Sequence, residues 1–239
     1  MQGIALVLGP AAGGLLAMWG ILMPIYVAPA LIAITLVAVW ALPAPPRQAQ
    51  TETKRLPWGD PRVMPYLLVG GMLFLGLALV EIILGFMFQD RLGLTNKETA
   101  GVVAIAGVLI GIGFVATQIV IAPRVSGGPR TMLVAGGLIA ALGYAFAAVA
   151  PNLGTLLPAM LIIAVGLGLA IPGRNAGATL AVEPHEHGAV AGQLAATVGL
   201  VYVAGPILGA SLYAAHPLAP IVAATLLSVV AAAIAYRQL

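Results

Sequence analysis

Glu81 is the one ionisable residue that lies well inside a long apolar segment of the sequence, residues 64–88. It precedes Gln89 by eight residues, which in a helix rising 1.5 Å per residue places it ~12 Å below the end of that segment. A charged side chain at the centre of a bilayer costs roughly 2.5–3.5 kcal/mol, so such residues usually face a cavity or a partner. We therefore predict that Glu81 takes up and releases a proton. The alternative is a protonated glutamate that only bonds two helices together.

Three aromatic residues could complete a site around Glu81. Phe74 and Phe88 lie seven residues before and after it, which predicts one helical face for all three. Aromatic rings on that face would suit an amphipathic cation. Tyr202 lies near the middle of a later apolar segment, one turn before Pro206. Lining a cavity and packing against a neighbouring helix are both open for Tyr202.

The sequence lacks the residue patterns that are typical of common enzyme active sites. It has no cysteine, no HExxH, no Ser-His-Asp arrangement and no phosphate-binding glycine loop followed by lysine. His185-Glu186-His187 offers metal-ligand types, but its spacing in a turn after Pro184 is poor for zinc, and a solvated turn is the preferred interpretation. We expect no enzyme activity, no metal and no cofactor, with energy drawn from an ion gradient.

Composition shows that membrane-spanning helices must position these residues. Only 7% of the 239 residues are charged, 62% are hydrophobic, and the mean hydropathy is +1.10, whereas soluble domains are about 25% charged. This excludes a soluble enzyme, and ten scattered Lys and Arg residues form no patch for nucleic acid. The runs are continuously apolar, which favours helices of about 20 residues over barrel strands. We predict an all-α polytopic membrane protein in a lipid bilayer, with spans at about 1–20, 24–42, 64–88, 100–122, 131–150, 155–173, 189–213 and 217–236.

Lys and Arg positions predict the orientation of these spans. With a cytoplasmic N-terminus, eight of the ten lie inside and only Arg91 and Lys97 lie outside, which fits the positive-inside rule. Both termini and the proline-rich linker 43–63 are then cytoplasmic, and the cell membrane is the expected location. Arg174, at the end of its span, is expected to anchor that span at the surface, and the alternative for it is contact with a substrate. Gln193 is expected to bond between helices.

A short motif occurs twice, 196 residues apart. Gly-Pro-x-x-Gly contains Gly9, Pro10 and Gly13 (followed by Gly14) in the first span, and Gly205, Pro206 and Gly209 in the seventh. Each proline removes one backbone donor, and glycines four residues apart let a neighbouring helix approach closely. Internal repeats of this kind are typical of transporters, although two ordinary kinked helices would carry the same pattern.

The order of several motifs resembles the major facilitator superfamily. GPAAGG near the N-terminus resembles the antiporter motif in the fifth span of its drug:proton exporters, and a basic central loop follows. Further on come Phe88-Gln89-Asp90-Arg91-Leu92-Gly93, Ala170-Ile171-Pro172-Gly173 and Glu186-His187-Gly188-Ala189-Val190-Ala191-Gly192, before the second Gly-Pro-x-x-Gly. The loop 122–130 keeps arginines and glycines but lacks the Asp that the family pairs with a helix end.

The resemblance implies a partial major facilitator fold, with the eight spans corresponding to spans five to twelve. Residues 1–42 would be the last two spans of an incomplete N-terminal bundle, 43–63 the linker, and 64–239 the six-span C-terminal bundle. About 130 residues, or four spans, would then be missing from the N-terminal bundle. We expect these four spans either to form a separate segment or to have been lost. The chain alone need not transport a substrate.

The resulting hypothesis is proton-coupled efflux of small amphipathic molecules or drugs, by rocking of two helix bundles around a midplane site. The expected partners are a small-molecule substrate, protons and lipid. An uptake or metabolite carrier on the same fold stays open, as does a non-transporting membrane scaffold. A weaker alternative is an intramembrane enzyme that uses the His-Glu-His turn.

Overall fold

The computed structural model describes Leu16, residues 22–41 and residues 56–239, and this part of the chain is almost entirely helical. It has no strand in the described residues, so the all-α prediction is confirmed. The helices are α1 (Met23–Trp40), α2 (Met64–Leu92), α3 (Asn96–Ala116), α4 (Gly128–Val149), α5 (Leu153–Leu180), α6 (His187–Ala215) and α7 (Ala219–Gln238). A π-helical turn, Thr117–Ile121, and a 3-10 turn, Ala122–Arg124, extend α3.

Six of these helices, α2 to α7, are long and apolar enough to cross a membrane. They coincide with the last six predicted spans, but several run further than charge placement suggested: α2 continues to Leu92 and α5 to Leu180. The predicted span 24–42 is found as the 18-residue α1, while nearly all of the span 1–20 lies outside the described residues. Six long apolar helices, and not eight, are therefore observed in this part of the chain.

Local sequence explains where the long helices begin and end. Thr95 accepts a hydrogen bond from the backbone of Glu98 and Glu98 bonds back, which is the predicted capping box at the start of α3. Asn152 and Thr155 form the same arrangement at the start of α5. Gly93 ends α2 in the left-handed conformation, with φ of 63°, which a residue without Cβ adopts at no steric cost.

Small residues set the contact between α4 and α5. A Cβ at Gly136 would lie 2.6 Å from the carbonyl oxygen of Gly166, so neither backbone leaves room for a larger side chain. Such close approach increases van der Waals contact, which drives helix association in lipid. Large side chains fill the core beside this contact, and Leu133, Tyr144 and Leu156 are at most 1% exposed.

The second Gly-Pro-x-x-Gly motif holds α6 against α2. A Cβ at Gly205 would lie 2.5 Å from the Cβ of Ala78, and one at Gly209 would lie 2.8 Å from the carbonyl oxygen of Leu79. The predicted close approach is therefore confirmed for this copy. The glycines and proline of the first copy, Gly9, Pro10, Gly13 and Gly14, lie outside the described residues.

The segment just before α2 is bound to the beginning of α6. Arg62 Nη1 and Nη2 each donate a hydrogen bond of 3.0 Å to a different oxygen of Glu186. Gln193 Nε2 donates to the carbonyl of Leu56 at 2.9 Å, so Gln193 bonds this segment and not a neighbouring helix as predicted. Val63 is fully buried among side chains of α2, α5 and α6. The end of the predicted linker is therefore part of the packed bundle.

Candidate functional site

Glu81 lies on α2 and is hydrogen-bonded to Tyr202 on α6. The Tyr202 hydroxyl donates to Glu81 Oε2 over 3.3 Å, and both side chains are exposed at the surface of the described bundle. Within residues 22–41 and 56–239, Glu81 makes no ion pair. The close packing of Gly205 and Gly209 on α2 is what brings these two helices near enough for the bond. Two of the four predicted site residues thus meet at one place.

The two phenylalanines lie apart from this open pair. Phe88 is 0% exposed and packs in the core, so it does not share the accessible face of Glu81. Seven residues along a helix are roughly 10 Å, far enough for different neighbours to cover the same helical face. Phe74 is half-buried, and the Arg174 guanidinium lies 5.2 Å from the centroid of its ring. An endogenous cation therefore occupies the ring face that was expected to receive a substrate.

A second carboxylate on α2 has a similar partner, which the sequence did not reveal. The Tyr213 hydroxyl donates to Asp90 Oδ2 at 2.5 Å, nine residues beyond Glu81 on α2 and eleven beyond Tyr202 on α6. Asp90 lies in the last turn of α2, where water can reach it. Both carboxylates accept a hydrogen bond from a tyrosine of α6. The difference between Glu81 and Asp90 is therefore their depth along α2.

Tyr144, on α4, is a buried tyrosine in the core of the bundle. Its side chain is 1% exposed, and its hydroxyl has no hydrogen-bond partner in the described residues. Buried hydroxyls usually have a partner, so Tyr144 is an unused donor in the core of the described bundle. Sequence alone gave no signal for it, because tyrosine is also common as packing.

Arg174 does not anchor α5 at the surface as predicted. The helix continues six residues past it to Leu180, and the side chain is only 2% exposed. It turns into the bundle because Gly70 on α2 leaves room there: a Cβ at Gly70 would overlap Arg174 Cδ. The predicted span ended at residue 173, just before this charge, and that boundary is wrong because α5 continues past it.

The His-Glu-His turn is not a solvated turn throughout. Glu186 is 7% exposed and receives the two bonds from Arg62, whereas His185 and His187 are exposed. His185 Nδ1 lies 3.3 Å from a carboxylate oxygen of Glu183. Among the described residues, no group of three or more His, Cys, Asp or Glu side chains could hold a metal ion. The central glutamate of this turn is used for packing the bundle.

The sequence was compared with models of known protein families and with curated proteins. The family model described as Major Facilitator Superfamily matches residues 1–206. The chain belongs to the Major Facilitator Superfamily. No curated protein sequence matches it. The predicted superfamily is therefore confirmed, and the protein is a multi-pass membrane transporter. The match includes α2, with Glu81, and α6 as far as Pro206, so both partners of the carboxylate bond lie within it.

Proposed function

We propose that this major facilitator protein exports small amphipathic cations across the cell membrane in exchange for protons. The observation that carries this proposal is the Glu81–Tyr202 pair, a carboxylate in the middle of a span with an exposed face and no cationic partner in the described part of the chain. A carboxylate held at this depth is costly, and a role in proton transfer accounts for it.

Two protonation states of Glu81 would alternate during the cycle. The ionised carboxylate accepts hydrogen bonds only, among them that of Tyr202, and attracts a cation on its open side. Once protonated, the group is neutral and has become a donor, so the attraction for the cation is lost. Binding of substrate and proton then exclude each other, which is the requirement for exchange.

The bundle α2–α7 is proposed to be the C-terminal half of the transporter, and residues 1–42 are proposed to belong to the other half. Rocking of the two halves would expose Glu81 to one side of the membrane and then to the other. The linker 43–63 would connect the halves, and its last residues are bound to α6 through Gln193 and to the turn before α6 through Arg62. An uptake carrier on the same fold would use the same motion in the opposite direction.

Glu81→Gln tests the coupling role because it preserves size and hydrogen bonding but cannot ionise. The chain is expressed from its full reading frame, reconstituted in proteoliposomes, and assayed for ethidium transport under an imposed pH gradient. We expect Glu81→Gln to lose gradient-driven transport while remaining folded. Glu81→Asp, which keeps the charge on a shorter side chain, should retain part of it.

Asp90→Asn is the matched control, since Asp90 is the other carboxylate of α2 that is bonded by a tyrosine of α6. It should leave transport within about twofold of wild type. Ethidium movement that is equally driven by the gradient in wild type and Glu81→Gln would contradict the coupling role. Glu81 would then serve only to bond α2 to α6.

A further inference from the structure

Arg174 is a buried cation that the proposed exchange at Glu81 does not use. It lies in α5, about 9 Å from the end of that helix at a rise of 1.5 Å per residue, and it is 2% exposed. A guanidinium stays protonated inside proteins. A buried charge is costly unless another group compensates it, so the surroundings of Arg174 should show what does so.

The described residues satisfy only part of this guanidinium. Nη2 donates to the carbonyl oxygen of Leu194 on α6 at 2.7 Å, which uses one of five N–H donors. Nε is sealed from solvent and has no partner. Nη1 also makes no hydrogen bond in the described part of the chain. Two of the three guanidinium nitrogens therefore have no partner among the described residues.

No carboxylate neutralises Arg174 in the described residues. The ion pairs found there join Arg62 to Asp60 and Glu186, and His185 to Glu183. The Phe74 ring, with its centroid 5.2 Å from the guanidinium carbon, supplies a weak electrostatic attraction and an apolar wall. A cation with an aromatic wall, unused donors and no counter-charge among the described residues matches the chemistry that binds a planar anion.

We propose that Arg174 binds the anionic oxygen group, carboxylate or phosphate, of a small molecule or of a lipid headgroup. Nη1 would donate to the anion, and the Phe74 ring would pack beside it. Gly70 is essential to the arrangement, since any side chain there would occupy the space of Arg174 Cδ. This site is separate from Glu81, and the proposal does not depend on proton-coupled efflux.

The test measures binding by the purified full chain in nanodiscs of zwitterionic lipid. Sodium benzoate is the anionic probe, benzamide is its neutral analogue, and both are titrated while the thermal unfolding midpoint is recorded. Nanodiscs that contain anionic phosphatidylglycerol, and inorganic phosphate added to zwitterionic nanodiscs, separate a lipid headgroup from a free anion. Arg174→Gln removes the charge. Arg130→Gln is the matched control, because Arg130 also stacks on an aromatic ring, that of Tyr236, but at the protein surface.

We expect benzoate, but not benzamide, to raise the unfolding midpoint of wild type and of Arg130→Gln. In Arg174→Gln the apparent affinity for benzoate should be about tenfold weaker, as the loss of one charge-assisted hydrogen bond implies. A response to phosphate that is lost in Arg174→Gln supports a free anion. A response to phosphatidylglycerol alone that is lost in the same variant supports the site with a headgroup as its ligand.

Three results would overturn the site. These are an Arg174→Gln response equal to that of wild type, equal responses to benzoate and benzamide, and no response of wild type to any of the anions. If Arg174→Gln does not fold, Phe74→Leu decides, because it retains the charge and removes only the aromatic wall. It should bind benzoate severalfold more weakly, and an unchanged affinity would contradict the proposed geometry.

Discussion

At the scale of single residues, the two carboxylates of α2 differ in their depth along the helix. Glu81 and Asp90 lie on the same helix, and each accepts a hydrogen bond from a tyrosine of α6. Asp90 lies in the last turn of α2, where ionisation is inexpensive, whereas Glu81 lies near its middle. Because a charged group costs more at that depth, the proposed exchange assigns the response to a proton gradient to Glu81 and not to Asp90.

Tyr202→Phe should weaken transport by removing the hydroxyl that holds the Glu81 carboxylate. A hydrogen bond to a charged group contributes about 1.5–3 kcal/mol, so we expect gradient-driven ethidium transport to fall about tenfold. Tyr213→Phe, which removes the equivalent bond to Asp90, is the control and should transport normally. Equal losses in the two variants would show that the hydroxyls matter for packing of α6 and not for Glu81.

Asp60 provides a prediction for stability against pH. Hydrogen bonds from Arg62 hold the pKa of the Asp60 carboxyl below its ordinary value of 3.8. A group whose pKa is lowered by folding stabilises the folded state above its unfolded pKa, and this contribution disappears as the pH falls through the folded value. Asp60→Asn should therefore lower the thermal unfolding midpoint at pH 7, with a difference from wild type that shrinks toward pH 3. A difference that is the same at both pH values would rule out this ionisation as its cause.

At the scale of helices, the contact between α2 and α6 is the element that positions the proposed site. Gly205 faces Ala78 so closely that a larger side chain must push the helices apart. Gly205→Leu should destabilise the bundle by about 1–3 kcal/mol or more and separate Tyr202 from Glu81. Ala204→Leu is the matched control, since Ala204 is exposed one residue earlier. Thermal unfolding in detergent and ethidium transport together measure the effect, and equal behaviour of the two variants would contradict it.

The Arg62–Glu186 pair joins the segment before α2 to the turn before α6. Removing either partner should release this segment, because both hydrogen bonds between Arg62 and the Glu186 carboxylate are lost. Arg62→Ala and Glu186→Ala should each speed trypsin cleavage at Lys54 or Arg55, and the double variant should add little to either. Additive rates would mean that the two residues act independently.

Local sequence predicted where the helices lie, but it predicted only some of the contacts between them. Apolar runs, the Thr95–Glu98 cap and the Gly-Pro-x-x-Gly motif of α6 depend on nearest neighbours along one helix, and the structure confirms them. Phe88 and Arg174 depend on which other helix covers a given face at a given depth. That information is tertiary: the space for Arg174 exists because Gly70 lies opposite, and nothing in the sequence around residue 174 specifies it.

At the scale of the whole molecule, contacts at both ends of the bundle fit helices that alternate in direction. At one end, the start of α2 bonds the turn before α6 through Arg62, and Arg130 at the start of α4 donates to the Tyr236 carbonyl near the end of α7. At the other end, Arg91 near the end of α2 donates to the carbonyl of Ala147 near the end of α4 at 2.7 Å. The first end holds the basic residues that the charge distribution assigns to the cytoplasm.

That charge asymmetry predicts the orientation of the bundle in the membrane, which can be measured directly. If the end with Arg62 and Arg130 is cytoplasmic, eight of the ten Lys and Arg residues lie inside, and the linker 43–63 and both termini lie there too. The turn between α2 and α3, which carries Lys97, then lies outside. Alkaline phosphatase fused after Lys97 should be active and one fused after Lys54 inactive, while green fluorescent protein should give the reverse result. Phosphatase activity at Lys54 would show that the bundle has the opposite orientation. Glu81 would then lie closer to the cytoplasmic than to the outer surface. Activity at both positions would place them on one side of the membrane, which is incompatible with a single crossing by α2.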